Sequence, residues 1–196
     1  MYYLVDTNIF LWAIKEKIYD VANDCKKINK DIVITSTILN ELEPGNDKSK
    51  EDPSLRDVYV QVNNLVTGGM GAKLITKVDI STIPKAKAEY QKIRNRFYSW
   101  MGDADYLKQL IDNNKLTEKE IKSSTFRNKD KGECELIALA IADPENYNMI
   151  VSDDKGRVYV HPEQNLFDDY AVQNGVNVIV SKQWLETIKK EILAVS

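Results

Sequence analysis

Histidine and cysteine are scarce in this chain, which has one histidine, His161, and two cysteines, Cys25 and Cys134. Two thiols so far apart in sequence cannot form the disulfide framework of small secreted folds, so we expect a reducing, cytoplasmic setting. The three residues also lack the paired ligand spacing of a zinc site. His161 directly precedes a proline, which favours a loop or surface position over a catalytic one. Chemistry that depends on histidine or thiolate groups therefore has little support in the sequence.

A long hydrophobic run is missing as well. Asp6 and Asn8 interrupt the apolar stretch at the N-terminus, and no basic segment precedes that stretch. Neither a signal peptide nor a membrane span fits this pattern, so we expect a soluble protein without membrane contact. The chain has 196 residues, of which 43% are hydrophobic, and this is enough for a substantial core. We expect one domain over residues 1–196.

A strong excess of one charge is absent, since the net charge is only −3, but the charges are unevenly distributed. Between residues 85 and 131, twelve lysine and arginine residues stand against seven aspartate and glutamate residues. A basic segment beside an acidic body suits a protein that holds cations in one place and phosphates in another. A solvated helical face explains the same run of charge, and charge alone favours that simpler interpretation.

Short apolar segments alternate with helical patterns along the chain. Four segments are each followed by a helix-compatible stretch: 2–5, 32–34, 149–151 and 176–180. A fifth strand fits residues 73–78. Nearly continuous apolar strands that alternate with amphipathic helices are typical of a parallel sheet covered on both faces. The sequence therefore predicts an α/β fold with a central, mostly parallel sheet of four to five strands.

The segment from about residue 84 to residue 131 has a helical character of its own. Pro84 can open a helix, Asp103 can cap a second one, and Thr117 with Glu120 has the spacing of a capping box. The segment has too few apolar residues to close a separate core. We therefore predict a helical elaboration on the same domain.

Acidic residues recur where the predicted strands end or the helices begin. Two follow the strands at 2–5 and 149–151, and others lie on the helix after the second strand or open the helix of GECELIALAIA. These residues are Asp6, Glu41, Glu133, Glu135, Asp153 and Asp154. The carboxyl ends of parallel strands meet at one edge of a sheet, so the acids become neighbours there.

Carboxylates that meet in one cleft repel one another unless a cation lies among them or some are protonated. Mg²⁺ and Mn²⁺ prefer carboxylate oxygen, so the pattern predicts a site for one of these ions. Each acid alone has a simpler interpretation as a helix cap or solvated charge, and the prediction depends on their conjunction at one edge. Glu133 and Glu135 project roughly 200° apart on a helix, which favours Glu133.

The stretches LVDTNIF, NELE, GECELIALA and IVSDDKGR, in this order, resemble the motifs of the PIN-domain nucleases, including the VapC-type toxin ribonucleases. The resemblance covers the first 45 residues and roughly residues 132–160. It implies a PIN-like three-layer sandwich and an endoribonuclease that depends on Mg²⁺ or Mn²⁺. A cognate antitoxin and a homodimer are the partners that it implies.

The resemblance also assigns residues. It implies an acidic quartet of catalytic metal ligands, Asp6, Glu41, Glu133 and Asp153. Glu135 and Asp154 are further candidates for the metal, and Thr7, Asn8 and Ser152 would support the ligands. Many toxin members have an aspartate before the corresponding helix where this chain has GECE, so the choice between Glu133 and Glu135 stays open. The long segment 46–131 exceeds what a minimal toxin needs.

The chemistry also follows from the residues alone. A cation bound by carboxylates activates water and neutralises charge on the reacting phosphate, so the reaction needs no histidine. The resemblance implies an RNA substrate, single-stranded or structured. Basic residues of the helical elaboration are candidates to bind its phosphate backbone: Lys92, Arg94, Arg96, Arg127, Lys129 and Lys131. Aromatic residues of the same segment could stack on unpaired bases: Tyr90, Phe97, Tyr98 and Trp100. Core packing is the simpler interpretation for Phe97 and Trp100.

Two alternatives stand beside a nuclease. One is a PIN-like fold without catalytic activity that serves as a binding module, against which the intact set of acids argues. The other is a phosphatase similar to the haloacid dehalogenases, which need an acid two residues after the first aspartate. This chain has Asn8 at that position, so the phosphatase ranks below the nuclease.

Overall fold

The computed structural model describes residues 2–43, 55–69 and 71–195. Its main sheet has five strands, all paired in parallel, in the order β3-β2-β1-β4-β7. These strands are β1 (Tyr2–Val5), β2 (Asp31–Thr35), β3 (Ile75–Val78), β4 (Met149–Val151) and β7 (Asn177–Ile179). A separate antiparallel hairpin joins β5 (Arg157–Val158) to β6 (His161–Asn165). The predicted α/β class with a parallel sheet is confirmed.

The central strands β1, β2 and β4 are buried except at their first residues. Consecutive residues of β1 and β2, such as Leu4 and Val5 or Ile32 and Val33, are all inaccessible to solvent. Successive side chains of a strand point to opposite faces, so layers of protein must cover both faces of the sheet. This explains why the strands consist of almost continuous apolar residues without a polar alternation.

Nine α-helices surround the sheet within the described residues. They are α1 (Ile18–Lys27), α2 (Ser36–Leu42), α3 (Leu55–Thr67), α4 (Pro84–Tyr98), α5 (Ala104–Asp112), α6 (Glu118–Lys122), α7 (Ser124–Arg127), α8 (Lys131–Ala142) and α9 (Ser181–Val195). Helix α8 packs directly on β1, β2 and β4, and α4 packs along α8. Helix α1 contacts α3 and α9. The start of α8 thereby lies between the sheet and the helical elaboration.

The start and end signals in the elaboration are where the sequence predicts them. Pro84 occupies the first turn of α4, and the Asp103 carboxylate accepts the Tyr106 amide at 3.0 Å to cap α5. Thr117 and Glu120 form the capping box of α6. A small second apolar cluster contains Leu110, Leu116 and Phe126, and Tyr159 and Val160 of the hairpin pack on it. The elaboration therefore closes its own small core with help from the distant hairpin.

Residues 1, 44–54, 70 and 196 of the predicted domain lie outside the described residues. Within the described ranges, no helix combines the length and the apolar character needed to cross a membrane.

Candidate acidic site

Asp6 follows β1 at the carboxyl edge of the sheet and is 2% exposed. One of its carboxylate oxygens accepts the Thr7 backbone amide at 2.7 Å. The other oxygen accepts the Asn8 side-chain amide at 2.8 Å and the Ser152 hydroxyl at 2.7 Å. Ser152 follows β4, which pairs with β1 in parallel, so both strands deliver these groups to the same edge. The turn after β1 and the turn after β4 thus fix the direction of the Asp6 carboxylate.

Glu41 reaches this edge from α2. The Thr35 hydroxyl caps α2 by accepting the Ile38 amide at 3.3 Å. Thr37 and Glu41 are four positions apart on α2, so both side chains lie on one face of the helix. The Thr7 hydroxyl donates a short hydrogen bond to the Glu41 carboxylate. Thr7 therefore connects Asp6, its sequence neighbour, to an acid from the next unit of the fold.

Glu133 lies in the first turn of α8 and is half-buried. Burial raises its pKa well above the ordinary value of a glutamate, and the negative charges of Asp6, Asp130 and Glu41 raise it further. The carboxylates of Asp6, Asp130 and Glu41 therefore lie within electrostatic range of Glu133. These four residues are called the acid cluster below. The repulsion within such a cluster is relieved when some carboxylates are protonated or when a cation binds among them.

Asp130 is a member of the acid cluster that the sequence interpretation missed. It occupies the cap position of α8 with a left-handed backbone, φ 53°. The Tyr98 hydroxyl donates to its carboxylate at 2.6 Å. Burial raises the Asp130 pKa, and the nearby charge of Asp154 adds to the effect. The sequence did contain a signal, because Asp130 precedes Glu133 by three residues, about one helical turn.

Asp153, which the resemblance places in the quartet, has another partner. Its carboxylate accepts the Ser181 amide at 2.8 Å in the first turn of α9, and the residue is exposed. Its backbone amide donates to Asn8 at 3.2 Å. The Asp153 main chain therefore borders the site, while its side chain serves the start of α9. A carboxylate at a helix start satisfies an amide that has no partner within the helix.

Glu135 and Asp154 also have local partners. Glu135 is 5% exposed and accepts the Thr37 hydroxyl at 2.7 Å, so it links α8 to α2 beside the acid cluster. Asp154 accepts the Gly156 amide at 2.8 Å in a tight turn. The structure thus brings Asp6, Glu41 and Glu133 together and adds Asp130. The carboxylates of Glu135, Asp153 and Asp154 bind other partners, and the Asp154 charge lies near Asp130.

The acid cluster supplies the ligand type that Mg²⁺ and Mn²⁺ prefer, since all its donors are carboxylate oxygens. Across residues 2–43, 55–69 and 71–195, no three carboxylate, imidazole or thiol groups stand where they could hold one metal ion together. The hydrogen bonds of Asp6 and Glu41 to neighbouring hydroxyl and amide groups hold these side chains in their present directions. The donor chemistry fits a hard cation, and side-chain rotation is needed before three donors converge on one ion.

Nearby side chains contact four of the six predicted phosphate-binding residues: Lys92, Arg94, Arg96 and Lys129. Lys92 pairs with Glu89 at 2.7 Å on α4. The Arg96 guanidinium lies over the Tyr170 ring at 5.4 Å, and the Lys129 ammonium lies over the Tyr159 ring at 5.2 Å.

Arg94 is directed into the protein. One guanidinium nitrogen donates to the Lys129 carbonyl at 2.7 Å and another donates to the Arg127 carbonyl at 3.4 Å. The Arg127 side chain is exposed and Lys131 is half-buried, and both lie immediately before or at the start of α8. The Arg94 guanidinium is therefore engaged by backbone carbonyls. The basic residues nearest in sequence to the acid cluster lie within residues 127–131.

The four aromatic candidates for base stacking are mostly taken up by packing. Phe97 and Tyr98 are 3% and 4% exposed and belong to the main core. Tyr90 is half-buried and packs against the same core. Trp100 packs on the second apolar cluster, with its ring 5.9 Å from that of Phe126.

No protein-family model and no curated protein matches the chain. Among solved structures, the chain is similar to one from the crystal structure of VapBC2 from Rickettsia felis bound to a DNA fragment from their promoter. That match has 18% sequence identity and a TM-score of 0.46, and it covers 92% of this chain and 98% of the other. An identity and a TM-score this low assign no activity to the chain.

Proposed function

We propose that this protein is a nuclease that depends on Mg²⁺ or Mn²⁺ and acts as an endoribonuclease of a toxin–antitoxin pair. The observation that carries the proposal is that Asp6, Glu41 and Glu133 lie close to one another at the carboxyl edge of a parallel sheet. Thr7, next to Asp6, donates to the Glu41 carboxylate, and a β-carbon on Gly132, next to Glu133, would lie 3.2 Å from a Glu41 oxygen. The three acids come from three separate units of the chain and stand in the motifs that resemble PIN-domain nucleases. A purely structural role would not require acids from three units to face one another against their mutual repulsion.

Asp6, Glu41 and Glu133 are the residues that would hold the cation. When bound, the cation would lower the pKa of a water molecule and neutralise charge on the reacting phosphodiester. Asn8 and Ser152 orient the Asp6 carboxylate, and Thr7 orients the Glu41 carboxylate. Each supporting group donates a hydrogen bond to a ligand oxygen, which restricts the directions in which that oxygen can bind.

The partners belong to the proposal as well. Arg127 and Lys131 are the basic residues best able to contact the RNA backbone, since Arg94 is held by main-chain carbonyls. A basic side chain of an antitoxin would pair with the acid cluster and block it. A second copy of the chain as partner, and a cytoplasmic location, follow from the same family interpretation.

The test is cleavage of single-stranded RNA with Mn²⁺ by the wild-type protein and by Asp6→Asn. We expect the substitution to lower the rate by about a hundredfold or more, the size found when one group that stabilises transition-state charge is removed. Asp20→Asn is the matched control, because Asp20 is an exposed aspartate on α1, and it should cleave at the wild-type rate.

Three results would contradict the proposal in different ways. Equal rates for wild type and Asp6→Asn would show that the activity comes from a contaminant or from another site. Hydrolysis of phosphate monoesters without RNA cleavage would support the phosphatase. Tight RNA binding without cleavage at any Mn²⁺ concentration would support the binding module.

A further inference from the structure

Arg94 and Tyr98 lie one turn apart on α4, on the face that packs against α8. The Arg94 guanidinium lies over the Tyr98 ring at 4.0 Å, and one of its nitrogens contacts the Met101 sulfur at 3.7 Å. A guanidinium stacked on an aromatic ring keeps its in-plane N–H groups available for hydrogen bonds. The stacked pair therefore presents the Arg94 N–H groups and the Tyr98 hydroxyl as hydrogen-bond donors in a fixed arrangement.

The Arg94 N–H groups donate hydrogen bonds to the backbone that leads into α8. They reach the carbonyls of Lys129 and Arg127, at 2.7 Å and 3.4 Å. The planar guanidinium has its donors in a fixed arrangement, so two carbonyls bound to it cannot move independently. Arg94 thus sets the path of the last residues before the helix.

Tyr98 acts on the next residue of the same segment. Its hydroxyl donates to the Asp130 carboxylate at 2.6 Å. Asp130 has φ 53°, a left-handed conformation that residues other than glycine adopt at a cost, so tertiary contacts must hold it. Asp130 is the cap residue of α8, and Glu133 follows three residues later, in the first turn. The conformation of Asp130 therefore determines the direction in which Glu133 projects.

We propose that Arg94 and Tyr98 are positioning residues that act through Asp130 and hold the start of α8 so that Glu133 faces Asp6 and Glu41. The inference deepens the proposed nuclease function and rests on it for its catalytic consequence. It gives the helical elaboration a role in building the site, through side chains that never contact the substrate. It also reassigns Arg94, which the sequence interpretation treats as a phosphate-binding residue.

The chain contains a matched control for the Tyr98 hydrogen bond. The Tyr170 hydroxyl donates to the Glu89 carboxylate, which is the same type of bond, and Glu89 lies on the helix that carries Tyr98, α4. Glu89 and Tyr170 contact neither the segment 127–130 nor the acid cluster through any hydrogen bond among the described residues. Tyr98→Phe and Tyr170→Phe each delete one hydroxyl and keep the packed ring.

The experiment measures kcat and KM for RNA in Mn²⁺, together with amide hydrogen exchange, for the wild type, Tyr98→Phe, Arg94→Lys and Tyr170→Phe. We expect Tyr98→Phe to lower kcat by about tenfold, the scale of a lost hydrogen bond to a charged group, with KM unchanged. Arg94→Lys keeps the charge but loses the planar fork, and it should lower kcat in the same way. In both variants, amides of residues 127–135 should exchange about tenfold faster. Tyr170→Phe should change neither property.

The outcomes separate the two proposals. If Arg94 is instead a phosphate contact, Arg94→Lys or Arg94→Gln will raise KM with kcat and exchange unchanged, which would overturn the positioning role. If the wild type does not cleave RNA, the nuclease proposal fails, and exchange alone decides: faster exchange in Tyr98→Phe but not in Tyr170→Phe supports the positioning of this segment. Unchanged exchange in Tyr98→Phe overturns the inference whether or not the protein is a nuclease. A variant that fails to fold is recognised by exchange that rises throughout the sheet, and the other variant then decides.

Discussion

Glu133 is the residue at which burial and like charge act together. Both effects raise its pKa, with burial the larger cause and Asp6, Asp130 and Glu41 the nearby charges. The folded protein therefore keeps a proton on Glu133 at pH values where the unfolded chain has released it. Where the folded state binds more protons than the unfolded state, the free energy of unfolding falls as the pH rises.

We predict that Glu133→Gln stabilises the protein without metal at pH 8 and has little effect at pH 4. At pH 4, below the ordinary glutamate pKa of about 4.3, Glu133 is mostly protonated in both states and contributes little. As the pH rises, the wild type loses stability through this group until the folded-state pKa is passed, and the glutamine variant does not. Each kcal/mol gained should raise the melting temperature by about 2–4 °C in a chain of this size.

The measurement is thermal unfolding in the presence of a chelator at both pH values. Glu186→Gln, which changes an exposed glutamate of α9, is the control and should leave the pH dependence as it is. A wild type and a Glu133→Gln variant with parallel stability curves between pH 4 and pH 8 would show that Glu133 ionises as freely as a glutamate in water.

Helices α2 and α8 approach each other closely at Gly132. A β-carbon at this position would lie 2.8 Å from the Ile38 side chain and 3.2 Å from a Glu41 carboxylate oxygen. Ile38 is fully buried, so it has little room to withdraw. The absence of a side chain at residue 132 is thus what lets an acid on α2 come next to Glu133 on α8.

We predict that Gly132→Ala lowers RNA cleavage at least about tenfold, because displacing a positioned group by about 1 Å can cost up to a hundredfold. The free energy of unfolding should change by only about 1 kcal/mol, since alanine favours a helix by about that amount and the close contacts oppose it. Cleavage assays and urea unfolding measure the two effects. Gly102→Ala is the control, because a β-carbon there meets nothing within 4 Å. Full activity in Gly132→Ala would mean that Glu41 can move without consequence.

Elements that begin at local sequence signals lie where the sequence predicts them. An element held by contacts with distant residues was not predicted. The proline at the start of α4, the cap of α5 and the box of α6 each involve residues within four positions of one another. The hairpin of β5 and β6 has no such signal, since HPEQN lacks the apolar alternation of a strand. It forms because its two strands pair and because Tyr159 and Val160 cover the second apolar cluster.

The described part of the chain forms two apolar cores of unequal size. The large one surrounds the sheet, and the small one holds Leu110, Leu116 and Phe126 between the elaboration and the hairpin. Segments with few buried apolar residues open at a lower free energy than the main core. Residues 104–127 of the elaboration and the hairpin should therefore open together while the sheet and α4 stay folded.

We predict that Phe126→Ala accelerates amide exchange in residues 104–127 and 157–165 and leaves β1, β2 and β4 unchanged. Truncating a buried phenylalanine costs about 3–5 kcal/mol, more than a small core can supply. Hydrogen exchange with peptide-level resolution measures this. Ile150→Ala, in the central sheet, is the comparison and should lower protection throughout the chain. Uniform loss of protection in Phe126→Ala would mean that the two cores unfold as one unit.

The sequence by itself determined the α/β class, the five strands of the main sheet and the edge at which Asp6, Glu41 and Glu133 meet. These features depend on apolar runs, on capping residues and on the rule that parallel strands end at one edge, all of which can be read along the chain. Only the tertiary structure decided which carboxylates join the acid cluster. Asp130 is held by Tyr98, 32 residues away, Asp153 is turned to Ser181, 28 residues away, and Glu135 is bound by Thr37, 98 residues away. A side chain takes the partner that the packed helices bring within reach, and local patterns carry no information about that choice.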